Sequence, residues 1–170
     1  MNSIALGPGV LAAIRGHCES GYPSECCGFL IGRSPDVGGE RRIERTVRAA
    51  NATAEDPRRR YTISPNELLA VEQSLEKSGE SVLGFYHSHP DHPALPSEFD
   101  RAHAWPWYAY LVLAVHEGRY EKLGAFMLSE STGSFEPVPW ASDSGGPSDG
   151  PTVTETVSTV VRSSTGTGSR

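Results

Sequence analysis

The sequence has no apolar run approaching 18 residues, so it predicts no membrane-spanning helix. No charged leader followed by an apolar stretch occurs at its start, so we expect no secretory signal. Lysine is rare: among the 15 basic residues, only Lys77 and Lys122 are lysines. The 21 acidic residues give a net charge of −6. This acidic balance argues against a dedicated nucleic-acid binder, which is usually basic.

Cysteine is also scarce, with three residues, of which Cys26 and Cys27 are adjacent. An odd number of cysteines excludes a simple disulfide framework, and the missing CxxC spacing excludes a thiolate zinc knuckle. We therefore expect a reducing compartment and a cytoplasmic protein. Cys26 and Cys27 lie in an apolar run, where cysteine behaves as a small hydrophobic residue, so we expect packing rather than nucleophilic catalysis.

The 170 residues are enough for one ordinary domain. The last part of the chain, 141–170, contains no aromatic residue and is rich in Ser, Thr and Gly, so it buries too little apolar area to fold alone. We expect a single domain over 1–140 followed by a flexible tail. Within that tail, the β-prone stretch from Val153 to Val161 is a candidate edge strand.

The residues of the domain alternate between helical and strand patterns. Pro8 and Ser64–Pro65 predict helix starts, and Ser97, followed by acids, predicts a third. The predicted strands are Cys26–Gly32, Arg41–Ala50, Arg59–Ser64, Ser81–Pro90, Tyr108–His116 and Arg119–Ser129. This order predicts an α/β or α+β domain built around one mixed sheet.

The segment from Phe85 to Asp100, FYHSHPDHPALPSEFD, contains the strongest chemical pattern. His87 and His89 are two residues apart, so on a strand both imidazoles point to the same face. A proline-rich loop then allows the carboxylate of Asp100 to fold back toward them. Two histidines and one carboxylate leave one position of a tetrahedral metal open, which is typical of a catalytic zinc site.

Such a site needs a group that takes a proton from the attacking water. Glu25, directly before an apolar run, is the candidate base, because a buried carboxylate without a polar task would be costly. Alone, Glu25 would more often be an exposed loop acid.

Together with Ser97, these residues form a pattern that resembles the JAMM or MPN+ metalloprotease motif. Its members here are Glu25, the run His87-Ser88-His89-Pro90, and then Ser97 and Asp100. The strings YPSECCGFLIG, NATAEDPRRRYTISP and WPWYAYLVL are similar to the compact bacterial branch of that family. The resemblance covers about residues 5–138.

The resemblance implies that His87, His89 and Asp100 hold Zn²⁺ and that Glu25 is the general base. It implies that Ser97 stabilises the oxyanion, on a cytidine-deaminase-like JAB/MPN fold with a mixed sheet flanked by helices. Family substrates are amide or isopeptide bonds after the C-terminal Gly-Gly of ubiquitin-like proteins. The bacterial branch acts on small sulfur-carrier proteins, and one activity there releases cysteine from a carrier–cysteine adduct.

Two alternatives remain open at this point. One is that the chain is a non-catalytic MPN-type scaffold that binds a ubiquitin-like partner, although inactive relatives usually lose a metal ligand or the glutamate. The other is a nucleic-acid role, because a DNA-repair-associated family has a similar histidine string; the acidic composition opposes it. Two nitrogens and one oxygen favour zinc without excluding another metal.

Several further residues have no assigned role. His92 is expected to be a solvated loop residue, with substrate contact as the alternative. His103 is expected to be a partly buried helix residue, with support of the metal ligands as the alternative. Trp105 and Trp107 are expected to pack in the core or near the site. The arginines of Arg41–Arg48 and Arg58–Arg60 either grip an acidic partner or form a solvated face. Asn51 and Tyr61 belong to the family-like string.

Overall fold

A computed structural model describes residues 2–35 and 39–143. The predicted tail from 144 onward, including the candidate strand Val153–Val161, lies outside the described residues. The described part is a mixed sheet with three helices, as the sequence predicts, and the sheet has eight strands where six are located from the sequence. Within it, every helix is too short or too polar to cross a bilayer.

The strands follow the chain as β1 (Ser3–Leu6), β2 (Cys27–Gly32), β3 (Glu40–Ala49), β4 (Ser81–Pro90), β5 (Ala109–His116), β6 (Arg119–Leu128), β7 (Phe135–Pro137) and β8 (Trp140–Ser142). The helices are α1 (Val10–Gly21), α2 (Pro65–Leu75) and α3 (Glu98–His103). The strand order in the sheet is β7-β6-β5-β4-β2-β3-β1-β8. The central strand β4 runs antiparallel to β2 and parallel to β5.

Each face of the sheet has its own apolar core. Helix α1 buries Val10, Ile14 and Cys18 on one face, together with Leu30 and Tyr86. Helix α2 covers the other face, where Phe29 and Phe85 are buried. Because side chains alternate along a strand, β2 and β4 contribute to both cores, which explains why both strands are buried along their length.

Most predicted elements are present within a few residues of their expected bounds. The predicted strand Arg59–Ser64 is wrong, because these residues form an irregular loop. The side chain of Asn51 accounts for the difference: it donates to the carbonyl of Arg60 and accepts from the amide of Thr62, so side-chain bonds replace a strand ladder here.

Three short strands are not among the predicted ones: β7 at one edge of the sheet, and β1 and β8 at the opposite side. Strand β1 lies between β3 and β8 and runs parallel to both. Four residues are too few to show a clear alternation, so their pairing partners define the strand. Strand β8 ends at Ser142, just beyond the expected domain limit at 140.

Three of the four arginines of β3 have partners within the domain. Arg41 is 4% exposed and donates to the carbonyl of Trp107 at 2.7 Å. Arg42 pairs with Asp143, and Arg45 pairs with Glu80.

Candidate metal centre and active site

The pairing of β2 with β4 places three of the predicted site residues on one face of the sheet. Cys27 is paired with His87, and the amide of Ser88 donates to the carbonyl of Cys26 at 3.0 Å. Continued one step, this antiparallel register sets Glu25 opposite His89. Since alternate residues share a face, the side chains of Glu25, His87 and His89 belong to the α2 side.

His87, His89 and Asp100 form a compact cluster of possible metal ligands. The two Nε2 atoms are 3.0 Å apart, and each lies 3.3 Å from Oδ2 of Asp100. A tetrahedral zinc ion with bonds of about 2.0–2.1 Å separates its ligand atoms by about 3.3–3.4 Å. The donor types and spacing therefore fit a zinc ion, and the cluster can hold a metal.

The short helix α3 aims Asp100 at the two histidines. Ser97 precedes the helix as its N-cap, and its Oγ accepts a hydrogen bond from the amide of Asp100 at 3.1 Å. In return, the amide of Ser97 donates to Oδ2 of Asp100 at 2.7 Å. This reciprocal capping box fixes the carboxylate in one orientation.

Each histidine ring is fixed by a further contact. Nδ1 of His89 lies 2.9 Å from the carbonyl oxygen of Pro93, so it donates its proton there and leaves Nε2 as a free electron pair. The ring of Tyr61 stacks on His87 with centroids 4.4 Å apart. The rings are therefore pre-oriented with both Nε2 atoms toward the cluster.

Burial and the contacts within the cluster shift the pKa values of its three residues. Burial lowers the pKa of His87, whereas hydrogen bonds to Asp100 and Pro93 outweigh the opposing burial and raise the pKa of His89. Burial would raise the pKa of Asp100, but its bonds to both histidines dominate and lower it. Asp100 is thus an ionised carboxylate, the form that binds a metal.

Glu25 is buried, with 7% of its surface exposed. Its amide donates to the carbonyl of Pro57 at 2.7 Å, and its carbonyl accepts from Nδ2 of Asn51 at 3.2 Å. Burial raises the pKa of its carboxyl to about 8; the charges of His89 and Arg60 oppose this effect and that of Asp100 adds to it. A carboxyl tuned in this way suits a general base working near neutral pH.

Asn51 and Tyr61, which have no role on the basis of sequence chemistry, both support the site. The side chain of Asn51 donates hydrogen bonds both to the carbonyl of Glu25 and to the loop that contains Tyr61. The ring of Tyr61 in turn packs on His87. The only signal for them in the sequence is their position in the family-like string, because a loop amide has no recognisable periodicity.

An apolar cleft of about 470 Å³ adjoins the cluster. Asp100 forms part of its wall, and the rest is mainly aromatic and aliphatic, including Phe85, Phe99 and Trp105. Trp105 and Trp107 do not pack in the core, since they are 68% and 43% exposed; of the two expected places, Trp105 takes the one near the site. Trp105 borders the cleft, and Trp107 lies against Arg41.

The remaining candidates lie outside the cluster. His92 is exposed, as expected. The expectation that His103 is partly buried is wrong, because it is exposed at the last residue of the short helix α3. Burial raises the pKa of Cys27 to about 12, so this residue is a neutral thiol packed in the α2-side core.

Comparison with known proteins identifies the family. A family model described as prokaryotic homologs of the JAB domain matches residues 8–127. A protein of Haloferax volcanii named desampylase is 35% identical over 117 residues, which cover 64% of this chain and 78% of that protein. A Thermus thermophilus protein named as a probable TtuB-protein conjugate cleaving protease is 32% identical over 139 residues, covering 72% of this chain and 90% of that one.

The fold has a counterpart among solved structures. The solution structure of a Desulfitobacterium hafniense protein superposes with a TM-score of 0.70 and 26% identity, covering 82% of this chain and 92% of the other. The resemblance predicted from Glu25, the histidine pair, Ser97 and Asp100 is thus confirmed at the level of the family. The chain belongs to the prokaryotic branch of the JAB/MPN domain family.

Proposed function

We propose that this protein is a zinc-dependent peptidase or isopeptidase that hydrolyses the amide bond after the C-terminal Gly-Gly of a small ubiquitin-like sulfur-carrier protein. The observation that carries the proposal is the buried cluster of His87, His89 and Asp100 with Glu25 beside it on the same face. The two named relatives support a hydrolase, since one is a desampylase and the other a protease that cleaves a protein conjugate.

In this proposal His87, His89 and Asp100 hold the zinc ion through the two Nε2 atoms and the carboxylate. When bound, zinc supplies a Lewis acid that polarises the scissile carbonyl and lowers the pKa of water. The three protein ligands leave a coordination position for substrate or water, as catalytic rather than structural zinc sites do.

Glu25 is the general base. Its carboxylate takes a proton from the attacking water and later gives that proton to the leaving amine, so the net reaction consumes one water and no other co-reactant. The surrounding burial favours this proton shuttle, because the raised pKa of Glu25 keeps the protonated form accessible near neutral pH.

Ser97 is the candidate donor to the oxyanion. Its Oγ already accepts a hydrogen bond from the amide of Asp100, so its own hydroxyl hydrogen is available to donate. A donor aimed at the developing negative charge stabilises the transition state more than the substrate.

The cleft beside Asp100 is the candidate groove for the C-terminal tail of the carrier. Glycines at the scissile bond let the substrate backbone approach a buried cluster, and the apolar wall accepts side chains further upstream. Release of cysteine from a carrier–cysteine adduct is one reaction consistent with this arrangement, and cleavage of an isopeptide-linked conjugate is another.

The experiment is a cleavage assay on purified protein with its metal content quantified. Substrates are a small sulfur-carrier protein ending in Gly-Gly with one added cysteine, and the same carrier joined through Gly-Gly to a lysine side chain. Cleavage of the first alone supports cysteine release, and cleavage of the second supports isopeptidase action. If the zinc-loaded protein cleaves neither substrate, the proposed function is contradicted.

A further inference from the structure

The two cysteines on the α1 side of the sheet lie in direct contact. Sγ of Cys18, in the last turns of α1, is 3.1 Å from Sγ of Cys26, which directly precedes β2. This separation is about 1 Å longer than a disulfide bond of about 2.05 Å. Both residues are free thiols. The third cysteine, Cys27, belongs to the opposite core and contacts backbone carbonyls there.

We propose that Cys18 and Cys26 are a redox site that forms a reversible intramolecular disulfide and that this bond slows the hydrolytic site. The site is separate from the proposed zinc ligands, since it lies on the other face of the sheet. It goes beyond the proposed function, because formation of the bond does not depend on any substrate.

The surroundings favour reaction at Cys26. Contacts with Cys18, then His17 and Ser88, lower the pKa of the Cys26 thiol despite its burial. Cys26 retains 7% exposure, whereas Cys18 is fully buried, so a small oxidant reaches Cys26 first. Cys26 is therefore the attacking residue, and Cys18 is the resolving residue.

With a peroxide as oxidant, the reaction is balanced in two steps. The Cys26 thiolate attacks one peroxide oxygen, the O–O bond breaks, and the leaving hydroxide takes a proton to become water. The Cys18 sulfur then attacks the Cys26 sulfenic acid, the S–S bond forms as the S–O bond breaks, and a second water leaves with the Cys18 proton. The two thiols lose two electrons in total, which the peroxide accepts.

The new bond displaces Cys26 more easily than Cys18. Cys18 is locked in the core by the buried face of α1, whereas Cys26 lies just outside the regular ladder of β2. Gly21, at the end of α1, already packs so closely that a Cβ there would meet Cβ of Cys26 at 3.1 Å. The end of α1 and Cys26 are therefore in close contact, and closing the gap between the sulfurs is expected to shift Cys26 against its hydrogen bonds to Ser88.

That displacement reaches the catalytic face through two direct links. Cys26 is covalently joined to Glu25, the proposed base. Its amide also donates to Oγ of Ser88 at 2.9 Å, and Ser88 separates His87 from His89. Because a shift of about 1 Å at a catalytic group lowers a rate by up to ~10²-fold, the oxidised protein is expected to hydrolyse more slowly by up to that factor.

The test treats the zinc-loaded full chain with hydrogen peroxide, then alkylates the remaining thiols and maps them by mass spectrometry. The expected result is a Cys18–Cys26 cross-link, one alkylated thiol at Cys27, and recovery of both thiols and activity with dithiothreitol. Cys27→Ala is the matched control and retains the cross-link. Cys18→Ala and Cys26→Ala each lose it, and Cys18→Ala no longer shows the dithiothreitol-reversible loss of hydrolysis.

Each contrary result overturns one statement: the redox site, its coupling to Glu25, or the proposed function. A cross-link that joins Cys26 to Cys27, or no cross-link in wild type, would overturn the redox site, whether or not any substrate is cleaved. A Cys18–Cys26 cross-link that leaves the hydrolysis rate unchanged would overturn the coupling to Glu25. Absence of hydrolysis in the reduced wild type would instead contradict the proposed function, and the mapped cross-link then stands independently.

Discussion

The amide of Ser97 donates a 2.7 Å hydrogen bond to Oδ2 of Asp100, the same oxygen that lies 3.3 Å from Nε2 of each site histidine. The same hydrogen bond therefore belongs to the cap of helix α3 and orients the carboxylate of Asp100 toward the two histidines. The backbone of Ser97 orients Asp100, and this leaves its side-chain hydroxyl for a second task.

Substitution of Ser97 separates these two tasks. Ser97→Ala keeps the amide that holds Asp100, so we expect retained zinc, a loss of about 0.5–2 kcal/mol in unfolding free energy from the lost cap, and a kcat lower by ~10²–10³-fold. Ser97→Thr keeps the hydroxyl and is expected to recover most of both. The measurements are kcat, zinc content and denaturant unfolding. A kcat for Ser97→Ala equal to that of wild type would remove Ser97 from the oxyanion role.

Removal of any ligand is expected to release the metal. His87→Ala and Asp100→Ala each leave two donors, too few for a stable catalytic site, so zinc content should fall well below one per chain. His92→Ala, an exposed histidine in the same loop, is the matched control and keeps its zinc. Stoichiometric zinc in both ligand variants, measured after dialysis, would refute the ligand assignment.

We predict that Asn51 holds the general base Glu25 in place without itself taking part in the reaction. Its side chain bonds to backbone groups of Glu25, Thr53, Arg60 and Thr62, so Asn51→Ala leaves several of them unpaired. We expect a loss of about 1–3 kcal/mol in unfolding free energy together with a lower kcat. The exposed Asn66→Ala is the control and should leave both unchanged. Wild-type stability and rate in Asn51→Ala would exclude the supporting role.

The metal-free protein is predicted to lose stability as Glu25 ionises. Burial raises the pKa of Glu25 from its ordinary 4.5 to about 8, so the folded state holds a proton that the unfolded chain releases between these values. The free energy of unfolding therefore falls as pH rises through this window, by up to ~1.4 kcal/mol per pH unit.

Glu25→Gln cannot titrate, so it isolates this effect. The stability of the variant relative to wild type should increase steadily from pH 5 to pH 8 in the metal-free state. Denaturant unfolding at several pH values measures the difference. A difference that does not change with pH would show that Glu25 is not a buried carboxyl with a raised pKa.

The sequence predicts the cluster well because its spacing is local. His87 and His89 share a strand face by alternation, and Ser97 with Asp100 forms a capping box that depends on three-residue spacing alone. The position of Glu25 opposite His89 depends on the register between β2 and β4, which are far apart in the chain. For that position, only the family resemblance provides a sequence-based prediction.

Other features escape sequence reasoning for physical reasons. The loop 59–64 has a strand-like composition, but the Asn51 side chain satisfies its backbone groups, and this is visible only in three dimensions. Cys18 and Cys26 are apolar packing residues by pattern, and their contact depends on how the end of α1 meets the start of β2.

Comparing wild type with Glu25→Gln on a carrier protein extended beyond its Gly-Gly, with zinc measured in both samples, tests whether Glu25 is the base of a zinc-dependent hydrolase. We predict cleavage after the second glycine by wild type, a rate ~10²–10⁴-fold lower for Glu25→Gln, and about one zinc in each. Equal rates for the two proteins with equal zinc would contradict the role of Glu25 as general base.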